Sequence, residues 1–230
     1  MIQRIFSSDE FFKTEKDLVQ VLKLNCSAIC DWCISKTETY ISEEVDLGFG
    51  VADLVISRID TTNINRIILN STDIALYYAI KDSEGLSFDV LQNAMQISKS
   101  NLQKSVTKLI GNDIVYEVGD IFYLKKDYNQ ITKKSIAIEA KLKNWRRALV
   151  QAYRYRWFAS ESYVVMDRLH INAAIKSISE FEKFNIGLAE IDTCGRVITH
   201  FRPYEERPIN HKMAMLLNEK IKEHLLSSEV

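Results

Sequence analysis

Two short, strongly β-forming segments, far apart in the chain, each carry one acidic residue, and a fold for this sequence has to accommodate both. The first is Gly50-Val51-Ala52-Asp53-Leu54-Val55-Ile56; the second is Ile136-Ala137-Ile138-Glu139-Ala140-Lys141-Leu142. Side chains alternate between the faces of a strand, so Glu139 and Lys141 point the same way and Ala140 turns into the opposite layer. If the first strand lies beside the second, Asp53 joins them at one edge of a buried sheet. Two carboxylates and a lysine then converge on a small volume, an inventory suited to holding a hard divalent cation against a phosphodiester.

The bulk composition permits this site without demanding it. A chain of 230 residues can bury one sizeable core, or one core and a small satellite domain. Thirty basic and 31 acidic residues leave a net charge of -1, so a polyanion would have to be met by a local patch rather than a basic field. Cys26, Cys30, Cys33 and Cys194 include one CxxC spacing, Cys30-Asp31-Trp32-Cys33. With no second CxxC and no histidine nearby, plain thiols are expected rather than a structural zinc site. No apolar run reaches transmembrane length and no secretory h-region stands at the N-terminus, so no membrane partner and a cytoplasmic location are expected.

The patterning changes character along the chain. Thr14 caps a first helix, with Glu15 and Asp17 in its first turn and Leu18, Val21, Leu22, Cys26 and Ile29 as an apolar stripe. Residues 38–48 read as an irregular strand or loop, and Gly48 and Gly50 flank Phe49 in a tight turn before the Asp53 strand. Ser71-Thr72-Asp73 opens a helix, Leu86 to Met95 forms a second, and Ser98 caps a third from Lys99 to Ile110. Then Ile114–Val118 and Ile121–Leu124, joined by Gly119-Asp120, give a β-hairpin. After the Glu139 strand come a helix from Trp145 to about Ser160, capped by Asn144, a strand at Tyr163–Met166 and a helix at Ile171–Phe184. A strand at Gly187–Ile191, a hairpin partner at Gly195–His200 and a closing helix at Lys212–Leu226 complete the chain. The expected organisation is an α/β core in two pieces, 1–65 and 131–230, interrupted by an inserted domain at 66–130.

Magnesium prefers octahedral oxygen ligands and retains several waters. Asp53 and Glu139 offer it two carboxylates and the Ala140 carbonyl a third oxygen, with a substrate phosphate to complete the set. Lys141 can orient a water or meet the negative charge that develops at phosphorus. The helix that follows deepens the case. Between Lys141 and Arg156 stand six basic residues and no acid: Lys141, Lys143, Arg146, Arg147, Arg154 and Arg156. Helical periodicity places Trp145, Ala148, Leu149 and Ala152 on the packed side and Arg147, Gln151 and Arg154 on another, a stripe able to follow a phosphate backbone. Gln151 and Tyr155, one turn apart, could both reach toward the strand ends.

Asp53, Glu139-Ala140-Lys141 and Gln151-x-x-x-Tyr155 together resemble the PD-(D/E)XK, restriction-endonuclease-like superfamily, with a Gln-x-x-x-Tyr element similar to that of RecB-type nucleases. The likeness covers roughly residues 14–60 and 134–200. It implies a mixed sheet flanked by helices and Mg2+-dependent DNA cleavage, with Mn2+ as an alternative ion. By the same likeness Asp53 and Glu139 are metal ligands, Lys141 is the catalytic lysine, Gln151 and Tyr155 support the site, and Glu15 matches an extra acid on the first helix. Ala52 stands where the nominal motif has proline. The fold is also used as a non-cleaving scaffold, so a catalytically silent DNA-binding or assembly factor is the alternative.

The three helices and hairpin of residues 70–128 resemble a winged helix-turn-helix unit. In that likeness the helix from Lys99 to Ile110 enters the major groove, with Asn101 and Gln103 reading base edges and Lys99, Lys104 and Lys108 on phosphates. Lys143, Arg146, Arg147 and Arg154 add backbone contacts from the other segment. The hairpin tip, Glu117-Val118-Gly119-Asp120, is acidic, which leaves open a partner protein or a homodimer through this domain instead of DNA. His170, His200, His211 and His224 show no ligand spacing and are expected in structural or surface roles.

Overall fold

The two acid-bearing segments are adjacent strands of one sheet. The computed structural model describes residues 11–30, 32, 38–48, 50–62 and 64–227. In chain order its elements are α1 (Glu15–Leu24), β1 (Thr39–Asp46), β2 (Val51–Ile59), α2 (Ser71–Lys81), β3 (Leu86–Ser87), α3 (Phe88–Met95), α4 (Lys99–Gly111), β4 (Val115–Val118) and β5 (Ile121–Leu124). They continue with β6 (Thr132–Lys141), α5 (Trp145–Tyr155), β7 (Glu161–Asp167), α6 (Asn172–Ile175), α7 (Ile178–Phe184), β8 (Gly187–Ile191), β9 (Val197–Phe201) and α8 (His211–Ser227). The chain divides into two compact units, residues 1–60 with 132–210 and residues 61–131 with 211–230. Phe49, Asp31 and Cys33, and the N-terminal residues 1–10, lie outside the described residues.

The first unit is built on a six-stranded mixed sheet of order β1-β2-β6-β7-β8-β9. β6, β7 and β8 run parallel, and the remaining neighbours are antiparallel. The central strands are buried on both faces, which is why they read as nearly continuous apolar runs. One face packs Leu54, Ile56, Ile136, Ile138, Ala140, Tyr163 and Val165 against Leu18, Val21 and Leu22 of α1. That helix starts where expected, because Thr14 and Asp17 form a reciprocal capping box. Ile59 pairs with Thr132, so the long excursion leaves from the end of one strand and returns at the start of its neighbour.

Several expected boundaries shift for local reasons. Residues 38–48 contain a regular strand, β1, held by seven register pairs with β2 despite its acids. The stretch read as one helix over Ile171–Phe184 is two short ones, and the helix after Asn144 ends at Tyr155. Asn144 caps that helix from a left-handed conformation (φ 60°, ψ 57°), its side chain accepting from the Arg147 N–H. Cys26 and Cys194 are free thiols, whereas Cys30 is disulfide-bonded, which corrects the expectation of plain thiols at that position.

Gly187 of β8 stands opposite Tyr163 of β7, and an added Cβ would collide with the Tyr163 ring. Both residues are buried, so the ring has no room to retreat. Gly187→Ala is therefore expected to destabilise the chain by about 1–3 kcal/mol in urea unfolding; an unchanged midpoint would show that the sheet can open at this point.

The second unit contains α2, α3, α4 and α8 and a three-stranded sheet of order β3-β5-β4. Leu86 and Ser87, expected within a helix, pair with Phe122 and Ile121 as β3, and Ser87 then caps α3. Leu76, Leu91, Leu102, Val106, Leu109 and Phe122 share a core with Met215 of α8. The closing helix thus packs within this unit rather than with the second core piece at 131–230. Its attachment is also polar. Glu219 accepts from the Leu69 N–H at 2.7 Å and from the Tyr128 hydroxyl, and pairs with Lys222 at 3.0 Å. Among the described residues no helix is long and apolar enough to cross a membrane.

Candidate active site

Asp53 and Glu139 meet because the β2–β6 register pairs Leu54 with Ile138, and one further antiparallel step sets Asp53 beside Glu139 on the same face. Asp53 Oδ2 accepts the Ala140 N–H at 2.7 Å. The expected contribution of Ala140 was its carbonyl; what it gives Asp53 is its amide. Lys141 lies on the Glu139 face, with Nζ 3.0 Å from Glu139 Oε1 and 2.8 Å from Glu15 Oε2 at the start of α1. Tyr155, from the last turn of α5, brings its hydroxyl to Glu139 Oε2 and to the Val51 carbonyl, the latter at 2.7 Å. Five residues from α1, β2, β6 and α5 are thereby joined around the ends of two strands.

Burial sets the electrostatics. Glu139 is only 1 % exposed, and desolvation pushes its carboxyl pKa up against the opposing pull of Tyr155 and Lys141. Burial likewise raises Asp53, with the Ala140 N–H and Lys141 working the other way. Around Lys141 burial disfavours the ammonium, but the Glu15 and Glu139 carboxylates outweigh it and hold its pKa above the ordinary value. Lys141 is therefore a cation at neutral pH. The Tyr155 hydroxyl has one proton and two acceptors at hand. It donates to one of them at a time, the Glu139 carboxylate or the Val51 carbonyl, and so ties the acid to the edge of β2.

The donor set suits a hard ion that keeps much of its own hydration. Asp53 and Glu139 are two oxygen donors on neighbouring strands, and magnesium is commonly held by one or two carboxylates with substrate phosphate and water. Glu15 does not complete a third: among the described residues no group of three His, Cys, Asp or Glu is placed to hold a metal. It forms an ion pair with Lys141 instead.

The remaining predicted residues separate by place. Gln151 is half-buried on α5, and its Oε1 is enclosed without a hydrogen-bond partner among the described residues. Lys143, Arg146, Arg147 and Arg154 are all exposed, with the Arg146 guanidinium 4.6 Å from the Trp145 ring centroid. Lys99, Asn101, Gln103, Lys104 and Lys108 lie on α4 of the second unit. Gln103, Lys104 and Lys108 line an open depression on that helix, while Lys99 lies over the Phe88 ring.

Two features escaped the sequence reading. The Val51 carbonyl leaves no side-chain signature. Glu190 on β8 stands between His200 on β9 and Arg168 just after β7, with His200 Nε2 2.7 Å from Glu190 Oε2 and Arg168 Nε 3.5 Å from Glu190 Oε1. Glu190 shares a strand face with Leu188, and an acid at that otherwise apolar position of β8 is the one sign of it in the sequence. Neither a protein-family model, nor a curated protein, nor a solved structure matches this chain.

Proposed function

We propose that the chain is a metal-dependent endodeoxyribonuclease that hydrolyses DNA phosphodiester bonds, with a restriction-endonuclease-like core and a winged-helix module that positions duplex DNA. The observation that carries the proposal is the convergence of Asp53, Glu139 and Lys141 at adjacent strand ends, with the Lys141 ammonium against the buried Glu139 carboxyl. The winged-helix reading is supported by the order α2, β3, α3, α4, β4, β5 and by the sheet order β3-β5-β4.

Asp53 and Glu139 would hold Mg2+ or Mn2+, which when bound lowers the pKa of a water and offsets phosphate charge. Tyr155 fixes the orientation of Glu139 from behind, anchored by its own bond to the Val51 carbonyl. Lys141 keeps its proton and presents positive charge where negative charge grows on the phosphoryl oxygens. Glu15 positions Lys141 without touching Glu139. The exposed arginines of α5 offer contacts to the substrate backbone.

Lys141→Ala is expected to lower turnover about a hundredfold while leaving the metal concentration for half-maximal activity within about threefold. Kinetics over a Mg2+ titration measure both. A large rise in the metal requirement would instead make Lys141 part of the ion's support.

One observation favours a second reading, a catalytically silent DNA-binding or assembly factor: Lys141 bridges Glu139 and Glu15 at once, an arrangement that also neutralises a buried acid in a scaffold. Incubation with supercoiled plasmid and with short single- and double-stranded DNA, with Mg2+ or Mn2+, decides between them. Metal-dependent cutting supports the nuclease. Binding without cutting supports a DNA-binding scaffold, and neither binding nor cutting overturns the nuclease and leaves the assembly factor with a protein partner.

A further inference from the structure

Along one side of α5, helical spacing lines up Arg146, Val150 and Tyr153, and on α7 Glu180 and Phe184 stand one turn apart. Together with Trp145 and Leu149 they enclose an apolar cavity of about 300 Å³ in the first unit. We propose that this cavity seats one unpaired base of a DNA substrate, cytosine or adenine in preference to thymine, an inference that rests on the proposed nuclease reading and gives its substrate an unpaired segment.

The walls suit the faces of a flat ring. Tyr153 is 41 % exposed and Val150 56 %, so apolar surface is left in water at the cavity. Tyr153 and Phe184 meet edge to face, with ring centroids 5.5 Å apart and planes at 70°, and the buried Trp145 and Leu149 complete the lining. A volume of about 300 Å³ lies at the small end of ligand pockets, room for one ring system. A docked helix would need a row of such sites along a groove. In a duplex both faces of a base are covered by its neighbours, so only a base outside the stack can enter a cavity lined in this way.

Charge selects nucleic acid among flat apolar ligands. From Trp145 to Tyr155, α5 carries Arg146, Arg147 and Arg154, all exposed, and no acid. Lys183 lies 5.5 Å from the Phe184 ring centroid, and Arg146 lies over Trp145. Aromatic walls flanked by cations hold single strands, with bases on the rings and phosphates on the cations. Glu180 brings the single acid to the lining and forms no ion pair among the described residues. Its carboxylate accepts hydrogen bonds and donates none. Cytosine N4 and adenine N6 present amino donors to it, whereas the one ring N–H of thymine is flanked by two carbonyl oxygens that a carboxylate repels.

The test uses the full-length protein in EDTA, which prevents cutting, with short fluorescent poly(dC) and poly(dT) strands and a blunt duplex of the same length, read by anisotropy. The wild type is expected to bind poly(dC) about fivefold more tightly than poly(dT). Tyr153→Ala, at an exposed position, should weaken poly(dC) binding about tenfold and leave the duplex within about twofold, because stacking reaches only an unpaired base. Glu180→Gln should bring the two strands to the same affinity, since an amide both donates and accepts. Far-ultraviolet circular dichroism confirms that both variants fold. These three results together support the inference. Equal binding of the two strands by the wild type, or poly(dC) binding untouched by Tyr153→Ala, overturns it, while plasmid nicking by the same proteins in Mg2+ leaves the nuclease reading standing. Poly-glutamate that competes as well as poly(dC) overturns the base assignment and makes this face a seat for an acidic protein segment. Binding to none of the three DNAs overturns the inference together with the nuclease reading.

Discussion

Glu139→Gln is expected to reduce metal-dependent DNA cleavage by about a thousandfold or more while leaving duplex affinity in EDTA unchanged. The substitution keeps the shape of the side chain and removes its charge. The amide oxygen can still accept from Lys141 while the NH2 donates to the Tyr155 oxygen, which leaves the Tyr155 proton for the Val51 carbonyl, so thermal stability should move little. Lys141 also retains Glu15 at 2.8 Å. The loss is thereby confined to what a carboxylate alone can do beside Asp53, which is to hold a divalent cation. The check is plasmid nicking over a Mg2+ series with the melting temperature measured alongside. Full activity in Glu139→Gln would remove the residue from the chemistry and turn attention to the Glu190–His200 pair. A collapse in stability would mean that the carboxyl serves the core rather than the reaction.

How far such a site could be foreseen depends on which atoms make it. Asp53, Glu139 and Lys141 were legible because alternation along a strand is a strict geometric rule, and the two apolar runs around them had to find partners. Tyr155 was legible as one turn beyond Gln151, although its anchor on the Val51 carbonyl was not, since a main-chain acceptor is present at every position. Glu15 enters the reading only through the family likeness, as an extra acid on the first helix; its ion pair with Lys141 depends on the distance between two elements, which local pattern does not encode. Arg146, Arg147 and Arg154 of α5 are exposed as helical periodicity implies, yet Gln151 is half-buried and Arg146 lies against Trp145, a packing preference invisible to charge counting.

The same limit explains the closing helix. Its apolar positions announced an amphipathic helix, and nothing in them said which core it would join. The choice rests on paired polar residues separated by most of the chain: Glu219 on α8, the Leu69 N–H before α2 and Tyr128 after β5. The sheet of the first unit was easier to foresee, because β6, β7 and β8 are buried on both faces and leave few alternatives.

That polar network should dominate the stability of the second unit. Lys222 is 0 % exposed and Glu219 2 %, and the Lys222 ammonium also meets the Tyr128 hydroxyl. Burial lowers the Lys222 pKa from its ordinary 10.5, against the pull of Glu219 in the other direction. A base whose folded pKa is depressed is most costly to fold below that folded value, and the cost disappears as pH rises toward 10.5. Glu219→Ala removes the compensating charge, frees the Leu69 N–H and strands Lys222, with an expected loss of about 3–5 kcal/mol at pH 7. In that variant stability should climb between pH 7 and 10 relative to the wild type, because deprotonation then relieves the uncompensated ammonium. Glu219→Ala combined with Lys222→Met should recover more than half of the loss, since the buried charge is gone and only the unpaired donors remain. Urea unfolding followed by circular dichroism across this pH range measures all three quantities. If the single and double variants lose the same stability, the ion pair is not what fastens α8 into the core, and the burial of Met215 and its apolar neighbours carries the attachment instead.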